Sequence, residues 1–325
     1  MPGLRDEDDP HAPEERVRAA KKKRERHSLV GGFSTRAPGS SDPGALLCGV
    51  ADAPNAAQAD YWNAAKHWAD DADGHDEMLA PLGRLAVAAL GLGEGMRVLD
   101  VGCGTGATTR ELAAAVGPSG EVVGVDVSAL LLEVARARSA ALDNLSYIEA
   151  DVQTYAFGPG SFDRAYSRFG VMFFADPVAA FTNIRTALAQ GGRMAFVCWQ
   201  TADRNDWVRI PAQAVRDRVD VSFDAGGPNP FAFGDEHLLR RILSSAGFSS
   251  VALEARTLPV LLGGHGDLDT GLGYVMASRV GKQIVAAAPE LADELTAAIR
   301  AALEPFVTAG GVEVGAAVWV ATAGA

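Results

Sequence analysis

Lysine is scarce in this chain: its 325 residues hold only Lys21, Lys22, Lys23, Lys66 and Lys282. Neither Gly-Lys-Ser nor Gly-Lys-Thr occurs, which excludes a phosphate-cradling P-loop and the nucleotide hydrolysis it supports. The positions four after Tyr61, Tyr147, Tyr155, Tyr166 and Tyr274 are Ala65, Asp151, Pro159, Gly170 and Ser278. The Tyr-x-x-x-Lys pair of a short-chain reductase is therefore missing. Cysteine is scarcer still. Cys48, Cys103 and Cys198 form no CxxC pair, and no HxxxH or mixed His/Cys cluster accompanies them, which argues against a disulfide framework and against a metal site. Free thiols are expected. No apolar run reaches the roughly eighteen residues of a membrane-spanning helix, and the first residues lack a secretory apolar region. The expected location is the cytoplasm, with no membrane partner.

Basic charge is short as well. The formal net charge is −12, and it is unevenly placed: residues 1–50 balance near +1 and residues 51–325 near −13. Gripping a phosphate backbone requires the opposite sign, because that affinity comes from neutralising phosphates. No [DN]-P-P-[YFW] motif and no Pro-Cys nucleophile occurs either. Nucleic acid is not an expected partner.

What the chain does have is 48% hydrophobic residues arranged with clear periods. Residues 1–50, with Pro, Gly, Ser and the mixed-charge run Arg16 to Arg26, show no period and are read as a disordered extension; the native start is expected at Val50, from a valine codon. Residues 51–325 form one domain: a helical cap over 51–95, a ligand-binding core over 96–200, and a substrate side with a lid insertion over 201–325. Strands are expected at Arg97–Val101, Glu121–Asp126, Leu145–Glu149, Phe162–Ser167, Arg193–Cys198, Val251–Ala255 and Ala316–Ala321. Helical periods fall at Thr108–Val116, Ser128–Ala141 and Pro177–Ala189, with Gly191-Gly192 between the last of these and its strand, and Asp235 caps a further helix stopped at Gly247. Alternation of this kind makes an α/β fold with a mainly parallel sheet and helices on both faces. The insertion over 257–313 is too long for a plain connection and reads as a lid or a dimer element, so a homo-oligomer is a possible assembly.

Chemistry concentrates at Val98-Leu-Asp-Val-Gly-Cys-Gly-Thr-Gly106. A strand running into glycines and then a helix lets backbone approach a ligand closely. Gly102, Gly104 and Ala107 also fit the loose dinucleotide fingerprint, with Asp126 about twenty residues on, so the glycines alone do not choose a cofactor. The acids do. Asp100, Asp126 and Asp151 stand at the ends of the first three strands, where they would repel a pyrophosphate and attract a cationic amine or sulfonium.

These motifs resemble the class I S-adenosylmethionine-dependent methyltransferases, in the small-molecule branch near the ubiquinone/menaquinone methyltransferases. The resemblance spans roughly residues 55–325: VLDVGCGTG, VVGVDVS, EADVQ, FDRAYSRFGVMFFADP, ALAQGGRMAFVCW and SSAGFSSV, in order. It implies a Rossmann-like seven-stranded sheet of order 3-2-1-4-5-7-6 with the last strand antiparallel, S-adenosyl-L-methionine as cofactor, and methyl transfer to an O, C or N atom of a small organic acceptor, quinone-like or a secondary metabolite of a biosynthetic route. Asp100, Gly102, Cys103, Gly104, Thr105 and Gly106 would border the methionine part, Asp126 and Val127 the ribose, Asp151 and Val152 the adenine, and Ser167 and Arg168 the edge near the transferred methyl. The quinone-pathway enzymes carry an Arg-Asn pair beyond the fourth strand where this chain reads Gly170-Val-Met-Phe-Phe-Ala-Asp176, so their substrate does not carry over.

Tyr61, Trp62 and Trp68 are candidates for a lid, and Phe169, Met172 and Phe173 for an acceptor wall; each set serves equally as core. Tyr61 and His237 are the catalytic candidates, while His67 and His265 stand isolated. Two other readings keep the pattern: a methyltransferase-fold protein that holds the cofactor without using it catalytically, and an NAD(P)-dependent oxidoreductase, which lacks its lysine.

Overall fold

The computed structural model describes residues 54–219 and 228–325. The expectations for residues 1–50, for a start at Val50 and for Cys48 lie outside the described residues.

In β1 (Arg97–Val101) the four residues Val98 to Val101 are all buried. Successive strand residues point to opposite faces, so both faces of the sheet are covered here. β2 (Glu121–Asp126) repeats the pattern, whereas β3 (Leu145–Glu149) is half exposed, as an edge strand should be. β4 (Phe162–Arg168) and β5 (Leu188–Trp199) continue the parallel set. β6 (Ser249–Leu261), the two-residue β7 (Val307–Thr308) and β8 (Gly311–Gly324) finish the chain, with β8 antiparallel to both β5 and β6. The order is β3-β2-β1-β4-β5-β8-β6, with β7 paired to β8 alone. This is the order the resemblance implies, the expected seventh strand being β8.

Helices enter where caps and periods place them. α1 (Ala56–Ala64), α2 (Lys66–Asp70) and α3 (Ala72–Leu90) precede the sheet. The helical cap expected over 51–95 is thus broken at Ala65 and Asp71, and α3 packs on β4, β5, β6 and β8 as part of the layered core. α4 (Ala107–Val116) and α5 (Ala129–Arg138) connect β1 to β2 and β2 to β3; Ser128 caps α5 by accepting from Leu131 N at 3.2 Å. α6 (Pro177–Ala187) is capped by Asp176 (3.0 Å to Ala179 N) with proline in its first turn. It ends before the expected Ala189: Leu188 already pairs with Phe162, and the strand register then shifts. Gly191-Gly192 therefore sits within β5 rather than ahead of it.

α7 (Asp206–Val215) follows β5, and α8 (Glu236–Ser245) is capped by Asp235 (2.8 Å to Leu238 N). α9 (Leu268–Ala277), α10 (Arg279–Ala287) and α11 (Ala292–Leu303) fill the insertion. That insertion is shorter than its expected 257–313, because β6 runs on to Leu261 and β8 starts at Gly311. Much of β6 is exposed along the sheet edge.

The strand order reverses between β1 and β4. The loops leaving their carboxyl ends part in opposite directions and leave a crevice, the standard ligand position of an open α/β sheet.

Candidate active site

The glycine loop after β1 turns through left-handed backbone. Gly104 has φ +53, and a Cβ there would meet nothing within 4 Å; its bare face opens onto a ligand cleft that it lines. Gly106 differs. A Cβ at Gly106 would stand 2.3 Å from the Tyr147 hydroxyl and 3.0 Å from Ala135 Cβ, so this glycine lets α4 and α5 close on β3 and does not line the cleft. Its expected place beside the ligand is corrected. Ser167 is corrected likewise: fully buried, it donates to Val101 O at 2.7 Å and accepts from Gly170 N at 3.1 Å, stapling β4 to β1 behind the cleft floor.

The other sequence-derived residues converge. Asp100, Gly102, Cys103, Gly104, Thr105, Asp126, Val127, Asp151, Val152 and Arg168 line one cleft, facing Tyr61, Trp62 and Trp68 from the first two helices and Phe169, Met172 and Phe173 from the β4 loop. The aromatics form a connected wall. Trp62 meets Tyr61, Trp68 and Phe173 edge-on at ring distances of 5.2, 5.9 and 5.2 Å, a favoured aromatic geometry. Phe169 stacks on Trp199 at 4.2 Å while holding φ +60, a conformation that costs an ordinary residue about 1–2 kcal/mol and gathers at functional sites.

Four aspartates line the cleft; Asp76 is paired with Arg168, and the other three stand at the ends of β1, β2 and β3. Asp100 is fully buried; its Oδ2 accepts from Thr109 Oγ1 at 2.7 Å and its Oδ1 has no partner. Burial pushes its carboxyl up to about 7, with Arg168 pulling the other way and Asp126 adding to the rise. Asp126 accepts from Gly104 N at 2.8 Å and Ser128 N at 2.9 Å, which fixes the glycine loop against β2; burial raises its carboxyl too. Asp151 takes Asn55 Nδ2 at 2.9 Å and Gln153 N at 2.8 Å on Oδ1 and leaves Oδ2 buried and unpartnered. Gln58 Oε1, on the same cleft, is likewise buried and unpartnered; a buried acceptor without a donor is costly, and the two carboxylate oxygens among the three call for a ligand with two separated N–H donors. S-adenosylmethionine has them, in its ammonium and its adenine amino group. The residues present fit that group.

His237 does not reach the cleft. It stands exposed on α8, whose apolar side, Leu239, Ile242 and Leu243, faces the core. His265 is paired with Glu77 on the far side of α3 from the cleft lining. His67 does line the cleft, and burial with the nearby Lys282 lowers it to about 4. Tyr61 lines it as well, and burial raises its hydroxyl, so it is a wall and not a base near neutrality. Sequence reasoning missed Asn55 and His75. Asn55, 5% exposed, also accepts from Ala175 N at 2.8 Å and donates to Gln153 Oε1 at 3.2 Å; it latches the start of α1 onto the loops after β3 and β4. Tyr274, Ser278 and Arg279 close the cleft from the insertion, and Trp199 and Trp207 from β5 and α7.

Residues 98–192 match the family model described as methyltransferase domain. Over 113 residues the chain is 36% identical to demethylmenaquinone methyltransferase of Staphylococcus aureus, an alignment covering 35% of this chain and 46% of that protein. The chain thus spans about half the length of the curated relatives it matches. Among solved structures, YcgJ of Bacillus subtilis is 18% identical with a TM-score of 0.49, covering 74% of this chain and 96% of that one. Phosphoethanolamine N-methyltransferase 2 of Haemonchus contortus, in complex with S-adenosyl-L-methionine, is 18% identical with a TM-score of 0.46, covering 75% and 52%. The chain resembles class I S-adenosylmethionine-dependent methyltransferases, near the quinone methyltransferases, and S-adenosyl-L-methionine is the cofactor that goes with this domain.

Proposed function

We propose that this protein transfers a methyl group from S-adenosyl-L-methionine to an O, C or N atom of a small organic acceptor, quinone-like or a secondary metabolite. The observation that carries the reading is the pair of unpartnered buried carboxylate oxygens, Asp100 Oδ1 and Asp151 Oδ2, in one glycine-floored, aromatic-walled cleft.

Asp100 would hold the ammonium, Asp126 the ribose hydroxyls, and Asp151 with Val152 the adenine. When bound, the cofactor supplies a methyl on a cationic sulfur. The chain's own part is to hold acceptor and donor in line, which accounts for much of the acceleration of a displacement. The walls of Tyr61, Trp62, Trp68, Phe169, Met172 and Phe173 exclude water, and a weakly polar surround favours a transition state in which charge disperses. Arg168 would edge the methyl end, held there by Asp76 at 2.7 Å. Asn55 would keep α1 seated over the ligand, and movement of α1 and of the insertion would admit the acceptor.

A thermal-shift comparison of S-adenosylhomocysteine with NAD tests the cofactor reading. At a hundredfold excess over Kd the true ligand adds about 2.7 kcal/mol. Stabilisation by NAD alone overturns it. Transfer of labelled methyl to extracted small molecules tests turnover, and a cofactor that binds but never loses its label would leave a non-catalytic role.

A further inference from the structure

We propose that His75 is the proton acceptor of this site and that the methyl acceptor is a planar ring bearing a hydroxyl, a phenol or enol. This rests on the methyltransferase reading and names its substrate class.

His75 is 6% exposed, on α3, and lines the cleft. Its Nδ1 lies 2.7 Å from the Asp71 carbonyl. A carbonyl can only accept, so Nδ1 carries the proton and Nε2 keeps a bare lone pair. The ring packs tilted against Trp68 (4.0 Å, 32°), with Tyr274 of the insertion 5.6 Å away. It belongs to the methionine end: its neighbour Asp76 pairs with Arg168, and Arg168 is the cation felt by Asp100. The charged groups around His75 are Asp71 and Asp76 of its own stretch and Arg168 of β4, with His67 of α2 at 6.0 Å. Burial outweighs the two carboxylates and lowers its pKa, so the ring is neutral, as an acceptor must be. His67 has no comparable anchor on either nitrogen among the described hydrogen bonds. Trp68 and Tyr274 lie beside the ring, and Trp199, Trp207 and Phe169 share the cleft, flat surfaces suited to a planar partner.

In the step, the hydroxyl oxygen forms the new bond to the methyl carbon, its O–H proton passes to Nε2, and the carbon–sulfur bond breaks with its pair left on sulfur. His75 departs as imidazolium and loses the proton to water.

The test uses the full chain saturated with S-adenosylhomocysteine and two probes, 2-naphthol and naphthalene, titrated by calorimetry. In the wild type the hydroxyl should strengthen binding about five- to tenfold, the worth of one hydrogen bond. In His75→Phe, which keeps a flat ring beside Trp68, that preference should vanish. Nitrogen NMR of the wild-type ring gives a second readout that needs no variant: the Nε2 signal should move with 2-naphthol and not with naphthalene. An equal preference in both proteins, an unmoved Nε2, or no binding of 2-naphthol overturns the proposal. Failure of S-adenosylhomocysteine to bind the wild type overturns instead the cofactor reading beneath it.

Discussion

Arg168 donates to Asp76 across 2.7 Å and 92 positions of sequence, joining the end of β4 to α3. The other oxygen of Asp76 accepts from Arg138 of α5 at 2.8 Å. The three side chains are only 13–20% exposed, and Arg138 is shared with Asp73, so Asp76 bridges two sheltered cations and fixes three elements around the cleft.

Asp76→Ala should therefore leave the partly buried guanidinium of Arg168 uncompensated, while Arg138 keeps Asp73. Breaking such a pair from one side costs about 3 kcal/mol. Urea unfolding measures it, and a loss under about 0.5 kcal/mol would show the arrangement to be a surface pair in effect.

Asp100 links ligand binding to pH. Its folded pKa of about 7 lies above the carboxyl's ordinary value of 3.8. The protonated form is favoured in the fold, so its contribution to stability is full in acid and is lost as pH rises through 7. An ammonium ligand needs the ionised form. S-adenosylhomocysteine affinity should then climb with pH up to about 7, with proton release on binding below that. Asp100→Asn should flatten the fall in stability between pH 4 and 7, abolish the proton release and weaken binding. Calorimetry in buffers of different ionisation enthalpy reads the proton count, and a count of zero at pH 6 contradicts the assignment.

The two glycines should separate. Gly104→Ala puts a methyl into open space at φ +53; it should cost about 1 kcal/mol of stability for the left-handed backbone and lower S-adenosylhomocysteine affinity further. Gly106→Ala forces its methyl onto Tyr147 and Ala135, so it should destabilise the ligand-free protein by more than Gly104→Ala does. Melting curves with and without ligand distinguish them; the reverse ranking would mean the loop is placed wrongly.

Removing the latch tests the role of α1. Asn55→Ala strands the Ala175 N–H and removes one of the two donors to Asp151 Oδ1, costing about 1–3 kcal/mol locally. Hydrogen exchange should rise in residues 56–64 while β1 and β4 stay protected, and S-adenosylhomocysteine should bind several-fold more weakly. Unchanged exchange would show that the α1 segment is held by packing alone.

Asp126→Ala should weaken S-adenosylhomocysteine at least tenfold, since it removes both the proposed ribose partner and the anchor of Gly104 N. Circular dichroism should stay unchanged. Undiminished affinity would place the ribose elsewhere.

The chain order of residues by itself settled the strand–helix alternation, the glycine turn after β1, and the acids at the ends of β1, β2 and β3, because each is a local matter: a period of two or three to four, a backbone region open to glycine, a cap one turn from its donor. It was silent on His75, on Asn55, and on the division of the glycines and of Ser167 between ligand and packing. Those depend on which side chains meet across gaps such as the 96 residues from Asn55 to Asp151. The tertiary structure decided them, since a carbonyl that fixes a tautomer, a hydroxyl that fills the space a methyl would need, or a carboxyl oxygen left without a donor is a property of the packed neighbours, and no local period records it.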